Sequence, residues 1–428
     1  MYDPMADPYP IRPVSADEFD AFDLVDQHAF HAGPPLEPEL RLAQRLFEFD
    51  RSLAAIDTSR PSGSGVVGTA GAFSFQFSVP GSQVPAAGVS FVSVLPNYRR
   101  RGILRSLMHR QLADIAAGDE PIAVLWASEA PLYGRYGYGC ASRHAKFTFR
   151  RGEGALGTQA PADPSLTLRL VSPADAVTEL AKVYDTVLPG QPGFFARSDA
   201  WWDRVRSDPA ERRGDFSPLR CVIAEDSAGP RGYALYAAQH RWESGTSLPE
   251  SAIAIRELIA ADPAASALLW QDLLSRDLAA EVTARLRPDD DPLLYQLADP
   301  RRARLHVADG LWLRIIDLPD ALTRRAYSCP VDAVLEVTDS VLTGNAGRWR
   351  LRSDGGSSVG VGSATCERTS EPADVALDIR DLGAAYLGAT RLSSLGAAGV
   401  VKELRPGTLA PLSTALSWGV SPWCPTIF

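Results

Sequence analysis

The chain contains no run approaching the roughly 20 apolar residues that a bilayer-spanning helix requires. Cysteine is sparse: Cys140, Cys221, Cys329, Cys366 and Cys424 are odd in number, widely scattered, and form no CxxC or Cys/His ligand spacing. That excludes a disulfide framework and a recognisable zinc site, leaving reduced thiols and no metal. The six histidines stand singly, a pattern more often structural than catalytic. Positive charge is also in deficit, 43 Lys and Arg against 52 Asp and Glu, for a net charge of −9. A nucleic-acid binder would need a local basic patch against that background, and a small cationic substrate fits the sign better. The opening MYDPMADPYPIRP lacks a basic stretch followed by an apolar one, so no secretory signal is expected, and the expected location is the cytoplasm. What is present is ordinary globular composition, 45% hydrophobic and 22% charged, with 34 Gly and 33 Pro that follow no period. At roughly 150 residues per domain, 428 residues suggest about three.

Three segments are legible. In the first, residues 1–151, Ser15 and Glu18 stand at capping-box spacing before a loosely helical stretch. After a Pro-rich gap come strand candidates Leu53–Ile56, the alternating Val66–Val79, and Val89–Val94. An amphipathic helix over Ile103–Ile115, a buried strand Ile122–Trp126 and an alternating strand Lys146–Arg150 complete an α/β unit. The second segment, residues 152–317, repeats the order of elements, its strand at Ala252 matching that at Val89 and its helix after Asp262 matching that after Arg101. The expectation is a divergent internal duplication. The third segment, residues 318–428, reads as α+β without a cluster of catalytic residue types.

The strongest chemical signal is Val92-Ser-Val-Leu-Pro-Asn-Tyr-Arg-Arg-Arg-Gly-Ile-Leu104. A buried strand ends at Leu95-Pro96, and an Arg-rich turn with Gly102 opens the helix. Backbone N–H groups at a helix N-terminus, with the helix dipole and Arg99, Arg100, Arg101 and Arg105 around them, suit a pyrophosphate. The plainer alternative is an exposed basic turn that caps a helix. A second stretch, Trp126-Ala-Ser-Glu-Ala-Pro-Leu-Tyr-Gly-Arg-Tyr-Gly-Tyr-Gly139, is dense in Tyr and Gly.

Together these two stretches resemble the Eis-like (enhanced intracellular survival) branch of the GNAT acyltransferase superfamily. There the general Arg/Gln-x-x-Gly-x-Gly/Ala loop reads RRRG followed by two aliphatics, here Arg99-Arg-Arg-Gly102-Ile103-Leu104. The Trp126–Gly139 stretch is similar to that family's SE…YGRFGYG. The resemblance covers the whole chain and implies tandem GNAT folds, the second degenerate, plus a sterol-carrier-like α+β domain. It implies acetyl-CoA as cosubstrate, held by Val92, Ser93, Val94, Arg99, Arg100, Arg101, Gly102, Ile103, Leu104 and Arg105, with Ser128 and Glu129 from the second stretch. The loop matching Arg99–Leu104 in the second segment, Ala260–Ala265, has no Arg or Gly and adds Asp262, so a pyrophosphate would be repelled there.

Direct acetyl transfer from a thioester to an amine needs three things of the protein. Backbone N–H groups of Val92 to Val94 are placed to meet the negative charge developing on the thioester oxygen. Tyr133 matches the family's proton donor to the departing thiolate, and Tyr136 and Tyr138 are close rivals on sequence alone. For the base, the resemblance implies the C-terminal α-carboxylate, that of Phe428. The aromatic and Pro-rich Ser421–Phe428 end is expected to be docked, and its plainer role is a tail pinned for stability. The implied acceptor is an amine of a cationic small molecule of aminoglycoside type, at one or several positions, or a lysine side chain. The segment Ala29–Pro35, where the family builds part of its acceptor pocket, offers no carboxylate. No nucleic acid or membrane partner is expected, and the resemblance implies a homo-oligomer, a hexamer. The competing readings are an acyltransferase dedicated to one secondary metabolite, and a non-catalytic protein binding an apolar ligand in its third segment.

Overall fold

Alternation at Phe73, Phe75 and Phe77, all buried, marks a strand with one face turned to a core. In the computed structural model, which describes residues 8–61, 65–246, 248–356 and 364–428, that strand is the long β3 of a mixed sheet. Around it lie β1 (Ile11–Pro13), β2 (Leu53–Ile56), β3 (Val66–Val79), β4 (Ser82–Val94), β5 (Ile122–Trp126) and β6 (Gly139–Cys140). A second sheet holds β7 (Arg143–Arg150), β8 (Thr167–Val171), β9 (Arg220–Asp226), β10 (Gly229–Gln239), β11 (Ser251–Ala260), β12 (Ala279–Arg287) and β13 (His306–Asp309). The strand β14 (Leu311–Ile315) then returns to the first sheet.

The first sheet runs β1-β2-β3-β4-β5-β14-β6 and the second β8-β9-β10-β11-β12-β7-β13. Position by position the two orders correspond, down to the parallel pairs β4–β5 and β11–β12 among antiparallel neighbours. The duplication expected from element order is therefore present. One feature differs from the sequence reading. The strand ending at Arg150, assigned to the first segment, sits in the second sheet, and Leu311–Ile315, inside the second segment, sits between β5 and β6 of the first. The chain leaves its first compact unit after Ala141 and returns to it at Leu311. A short alternating strand carries no mark of which sheet it joins, because its backbone ladder is the same in either.

Two helices cover one face of the first sheet, α1 (Phe19–Phe30) and α2 (Glu37–Leu46). The capping box before α1 forms as read, with the Glu18 carboxylate accepting from both the N–H and the hydroxyl of Ser15. Helix α2 falls in the stretch that reads as a Pro-rich gap: Pro38 stands in its first turn, where a missing N–H costs nothing, and of its residues only Leu42 is buried. On the other face α3 (Ile103–Ala116) packs Ile103, Leu107, Met108, Leu112 and Ile115 inward, and the Gln111 amide donates to the Gly71 carbonyl. A single turn, α4 (Ala130–Tyr133), follows β5.

The second unit comprises residues 142–310 and 420–427. Its helix Pro263–Leu274 occupies the place of α3. The Asp262 carboxylate caps that helix by accepting from Ala264 N–H and Ala265 N–H, both 3.0 Å, and Arg231 pairs with it at 2.8 Å. The groove beside it is lined by Arg287, which donates to Asp291 and the Leu258 carbonyl, and by Trp423, over whose ring the Arg287 guanidinium stands at 4.9 Å. A fully buried pair, Arg197 and Glu257 at 2.6 Å, lies at the centre of this unit. The Tyr233 hydroxyl donates to Glu257 and Arg197 donates to Thr426.

Within the first unit, residues 318–419 add a third sheet. Its strands are β15 (Val331–Thr338), β16 (Gly347–Ser353), β17 (Thr365–Arg368), β18 (Val375–Asp378) and β19 (Lys402–Glu403), in the order β17-β16-β15-β18-β19. The helix Ile379–Ala385 that follows β18 packs against β14 and β6. Among the described residues no helix is long and apolar enough to cross a membrane.

Candidate functional site

Strands β4 and β5 are parallel only through Ala86↔Ile122, Ala87↔Ala123 and Gly88↔Val124; beyond Gly88 β4 continues to Val94 without β5 beside it. A bulge sits in that free stretch. Thr69 of β3 faces Ser93 and Gly71 faces Ser90, so Ala70 alone opposes both Phe91 and Val92. Phe91 takes a left-handed φ of 54°, which an L-residue holds only at a cost, and the Thr69 hydroxyl donates to its carbonyl at 2.8 Å. Leu95 N–H donates back to β3, to the Val67 carbonyl. Strand alternation then turns the N–H groups of Val92 and Val94 toward the side that β5 has vacated. Two donors thus line the mouth of a split between parallel strands.

The same strand feeds the basic turn. Gly102, the residue before α3, has φ 85°, and a methyl group added there would meet nothing within 4 Å. Glycine is required by the backbone conformation, and the space above it is open. The N–H groups of Ile103, Leu104 and Arg105 in the first turn of α3 have no acceptor within the helix, and Arg99, Arg100 and Arg105 are exposed around them. This combination fits a pyrophosphate. Arg101 differs from its neighbours: its guanidinium donates to the Tyr9 hydroxyl at 2.7 Å and the Asn97 carbonyl at 3.1 Å, and lies 4.8 Å over the Tyr98 ring. Its side chain braces the loop, a role that the run of three arginines concealed.

Across the split, α4 delivers Tyr133. The ring is buried, edge-on to Tyr138 at 6.0 Å. Burial pushes the phenol up to about 12, opposed by a hydrogen bond with Ser128 and assisted by the nearby Glu129 carboxylate. Ser128 and Glu129, assigned to the cofactor from sequence, are exposed residues flanking this phenol. The rivals separate here. Tyr138 is wholly enclosed and its hydroxyl has no partner among the described residues; Tyr136 is buried with its ring edge-on to His109 at 6.1 Å. Phe428 packs its ring edge-on to Phe75 of β3 at 4.9 Å. The Phe75 ring in turn lies across Gly88, where β4 and β5 part, so closely that a methyl group on Gly88 would stand 2.1 Å from it.

Two features escaped the sequence. A cluster of aromatic rings, Phe22, Phe47, Phe73 and Phe91, closes the α1 face of the bulge with centroids 4.9 to 5.8 Å apart. Beside it the Asp26 carboxylate accepts from the Ser93 hydroxyl at 2.8 Å, its pKa raised by burial. The segment Ala29–Pro35 indeed holds no carboxylate, but α1 supplies one a turn earlier. At the C-terminal end of α3 a cavity of about 510 Å³ is lined by Phe75, Gln76, Gln111 and Asp119, with Arg51 paired to Glu120 at 2.6 Å on its wall.

A split parallel pair, a bulge, a glycine-led helix N-terminus and a buried tyrosine all lie in the first unit. Residues 10–141 and 193–315 each match an acetyltransferase (GNAT) domain family, and residues 318–425 match a sterol carrier protein domain. The chain is 34% identical to the N-acetyltransferase Eis of Mycobacterium tuberculosis, over 89% of this chain and 90% of that one. This chain belongs to the Eis group of GNAT N-acetyltransferases. The crystal structure of Eis1 from Mycobacterium abscessus superposes on this Eis-type enzyme with a TM-score of 0.80 at 30% identity, covering 98% of this chain and 100% of that one. An uncharacterized N-acetyltransferase from Streptomyces avermitilis is 43% identical over 93% of this chain and 94% of its own length. The tandem GNAT domains and sterol-carrier domain expected of the Eis group are both present.

Proposed function

We propose that this Eis-type enzyme transfers acetyl from acetyl-CoA to an amine of a cationic small molecule of aminoglycoside type, or to a lysine amine. The observation that carries the reading is the split between β4 and β5, with the Val92 and Val94 donors on one side and Tyr133 on the other. Acetyl-CoA supplies the activated acetyl thioester; the open N-terminus of α3 with Arg99, Arg100, Gly102 and Arg105 would hold its pyrophosphate.

The residues divide the work by chemistry. Val92 and Val94 N–H groups donate to the thioester oxygen as negative charge develops there. The carboxylate of Phe428 takes a proton from the substrate ammonium, freeing the amine to attack the thioester carbon, and Tyr133 gives a proton to the departing thiolate. A phenol held near 12 is protonated throughout the physiological range, yet it yields a proton reluctantly to a thiolate whose own pKa is about 8.5. The Ser128 hydrogen bond, which favours the phenolate, is the local counterweight. The net charge of −9 favours a cationic acceptor.

The test is thiol release from acetyl-CoA in the presence of aminoglycosides, polyamines and lysine peptides. Amine-dependent release with one of these classes supports the reading, and none with any class removes it. Sedimentation of the purified enzyme checks the hexamer that the Eis resemblance implies.

A further inference from the structure

The turn that carries Tyr133 is built against the sterol-carrier domain by backbone contact. A methyl group on Gly139 would stand 2.0 Å from the Arg380 carbonyl and 2.6 Å from Ala384 N. One on Gly383 would stand 2.6 Å from the Leu313 carbonyl of β14. Glycine on both sides lets β6, β14 and the helix Ile379–Ala385 meet with no side chain between them. Thr390 adds a hydroxyl donor to the Cys140 carbonyl at 3.2 Å.

Behind the turn lies a buried ion pair. Arg314 of β14 donates to both oxygens of Asp339, at 2.8 and 2.6 Å, and both side chains are essentially inaccessible to solvent. Asp339 follows β15 of the third sheet and also accepts from Val341 N–H, Leu342 N–H and the Asn345 amide. The Arg314 guanidinium lies against Gly137, whose φ is 82°, so closely that an added methyl group would be 2.6 Å from Nη1. Its Nε and Nη1, like the Tyr138 hydroxyl, have no partner among the described residues. The contacts run Asp339, Arg314, Gly137 with Tyr138, then Tyr133, whose ring is edge-on to Tyr138.

We propose that the sterol-carrier domain of this enzyme seats the tyrosine turn, with Arg314 and Asp339 acting as positioning residues for Tyr133. The catalytic half of this proposal rests on the reading of Tyr133 as the acid; the seating half does not. A general acid displaced by about 1 Å loses on the order of 10²-fold in rate, so a rigid platform beneath a turn of three glycines has a direct kinetic value. The domain thereby has a function in transfer that requires no apolar ligand.

The experiment compares full-length Asp339→Asn and Thr390→Val with the parent and with Tyr133→Phe. It measures turnover with saturating acetyl-CoA, acetyl-CoA affinity by calorimetry, and hydrogen exchange of the peptide spanning residues 129–141. Asp339→Asn should lower kcat about 10- to 100-fold, leave acetyl-CoA affinity within about twofold, and speed exchange in that peptide but not in residues 92–105. Thr390→Val, which removes only the donor to Cys140, should show the same pattern more weakly and decides the matter if Asp339→Asn does not fold. Parental exchange in 129–141 for the folded variants overturns the seat. Faster exchange with parental kcat overturns the positioning role alone, provided that Tyr133→Phe is inactive. A fully active Tyr133→Phe instead overturns the acid assignment and leaves exchange to decide the seat.

Discussion

Tyr133, Tyr136 and Tyr138 lie within six residues of one another and are chemically identical, yet only one combines a buried ring with a polar partner at the split. The Tyr133 phenol bonds to Ser128, whereas the Tyr138 hydroxyl is enclosed without a partner. Tyr133→Phe is expected to lower turnover about 10²- to 10⁴-fold, with acetyl-CoA affinity little changed. Steady-state kinetics with calorimetry check this, and Tyr138→Phe serves as the contrasting variant. The same residue predicts a pH response. Its pKa rises from an ordinary 10 to about 12 on folding, chiefly through burial. The folded state therefore binds this proton more tightly than the unfolded chain. The resulting stabilisation is complete below about pH 10 and is lost as pH climbs through about 12. Ultraviolet titration of the parent against Tyr133→Phe should show one phenol missing from the high-pH limb, and the acid should not be lost from the rate profile near pH 10.

The same element, a helix N-terminus after a strand, is open in one half of the duplication and closed in the other. At α3 the first-turn N–H groups face open space with arginines around them. At Pro263–Leu274 the Asp262 carboxylate occupies the equivalent donors, held by Arg231. A negative ligand at the second position would have to displace a neutralised cap, the physical reason why this half is degenerate. Arg99→Glu with Arg100→Glu should weaken acetyl-CoA binding by calorimetry in a folded protein, because both side chains are exposed and otherwise unconstrained by the loop. Arg101→Glu should also loosen the loop, since that guanidinium holds Tyr9, Asn97 and the Tyr98 ring. Asp262→Ala should cost about 1 kcal/mol of stability, the usual loss for a helix cap, with turnover unchanged; thermal melts and kinetics separate the two. Unaltered acetyl-CoA affinity in the Arg99/Arg100 variant would falsify the phosphate cradle.

At the scale of the whole chain, the C-terminal residues carry two different loads. Residues 420–427 belong to the second unit, where Thr426 accepts from Arg197 and Trp423 packs on Phe194 at 5.0 Å. Glu257→Gln leaves Arg197 buried without its charge partner and should destabilise by about 3 to 5 kcal/mol, read as a lowered Tm. Phe428 belongs to the first unit, against Phe75. Extending the chain beyond Phe428 keeps every side chain and converts the carboxylate to an amide that cannot act as a base. Transfer should be abolished or severely reduced in a protein that still folds and binds acetyl-CoA. A C-terminally extended enzyme with full turnover would reduce the tail to a stabilising role.

Period and punctuation carry the local content of this chain. The alternation of β3, the apolar stripe of α3, the Ser15–Glu18 box and the strand-turn-helix at Arg99–Leu104 are set by side chains within a few residues of one another, and all are legible before folding. So is the order of elements that betrays the duplication. Helix α2 was hidden because Pro34, Pro35 and Pro38 read as a break, although a proline in the first turn of a helix costs no hydrogen bond. The crossing of β7 and β14 between sheets was hidden because strand pairing is a choice among backbones that look alike in sequence. The bulge at Phe91 was hidden for a related reason: its left-handed residue is a phenylalanine, held by an aromatic cluster assembled from α1, the end of α2, β3 and β4. Asp26 meets Ser93, Asp339 meets Arg314 and Phe428 meets Phe75 across separations of 67, 25 and 353 residues. Residue identity determines which of these groups could donate, accept or pack; only the tertiary fold, by burying some and exposing others, determines which do.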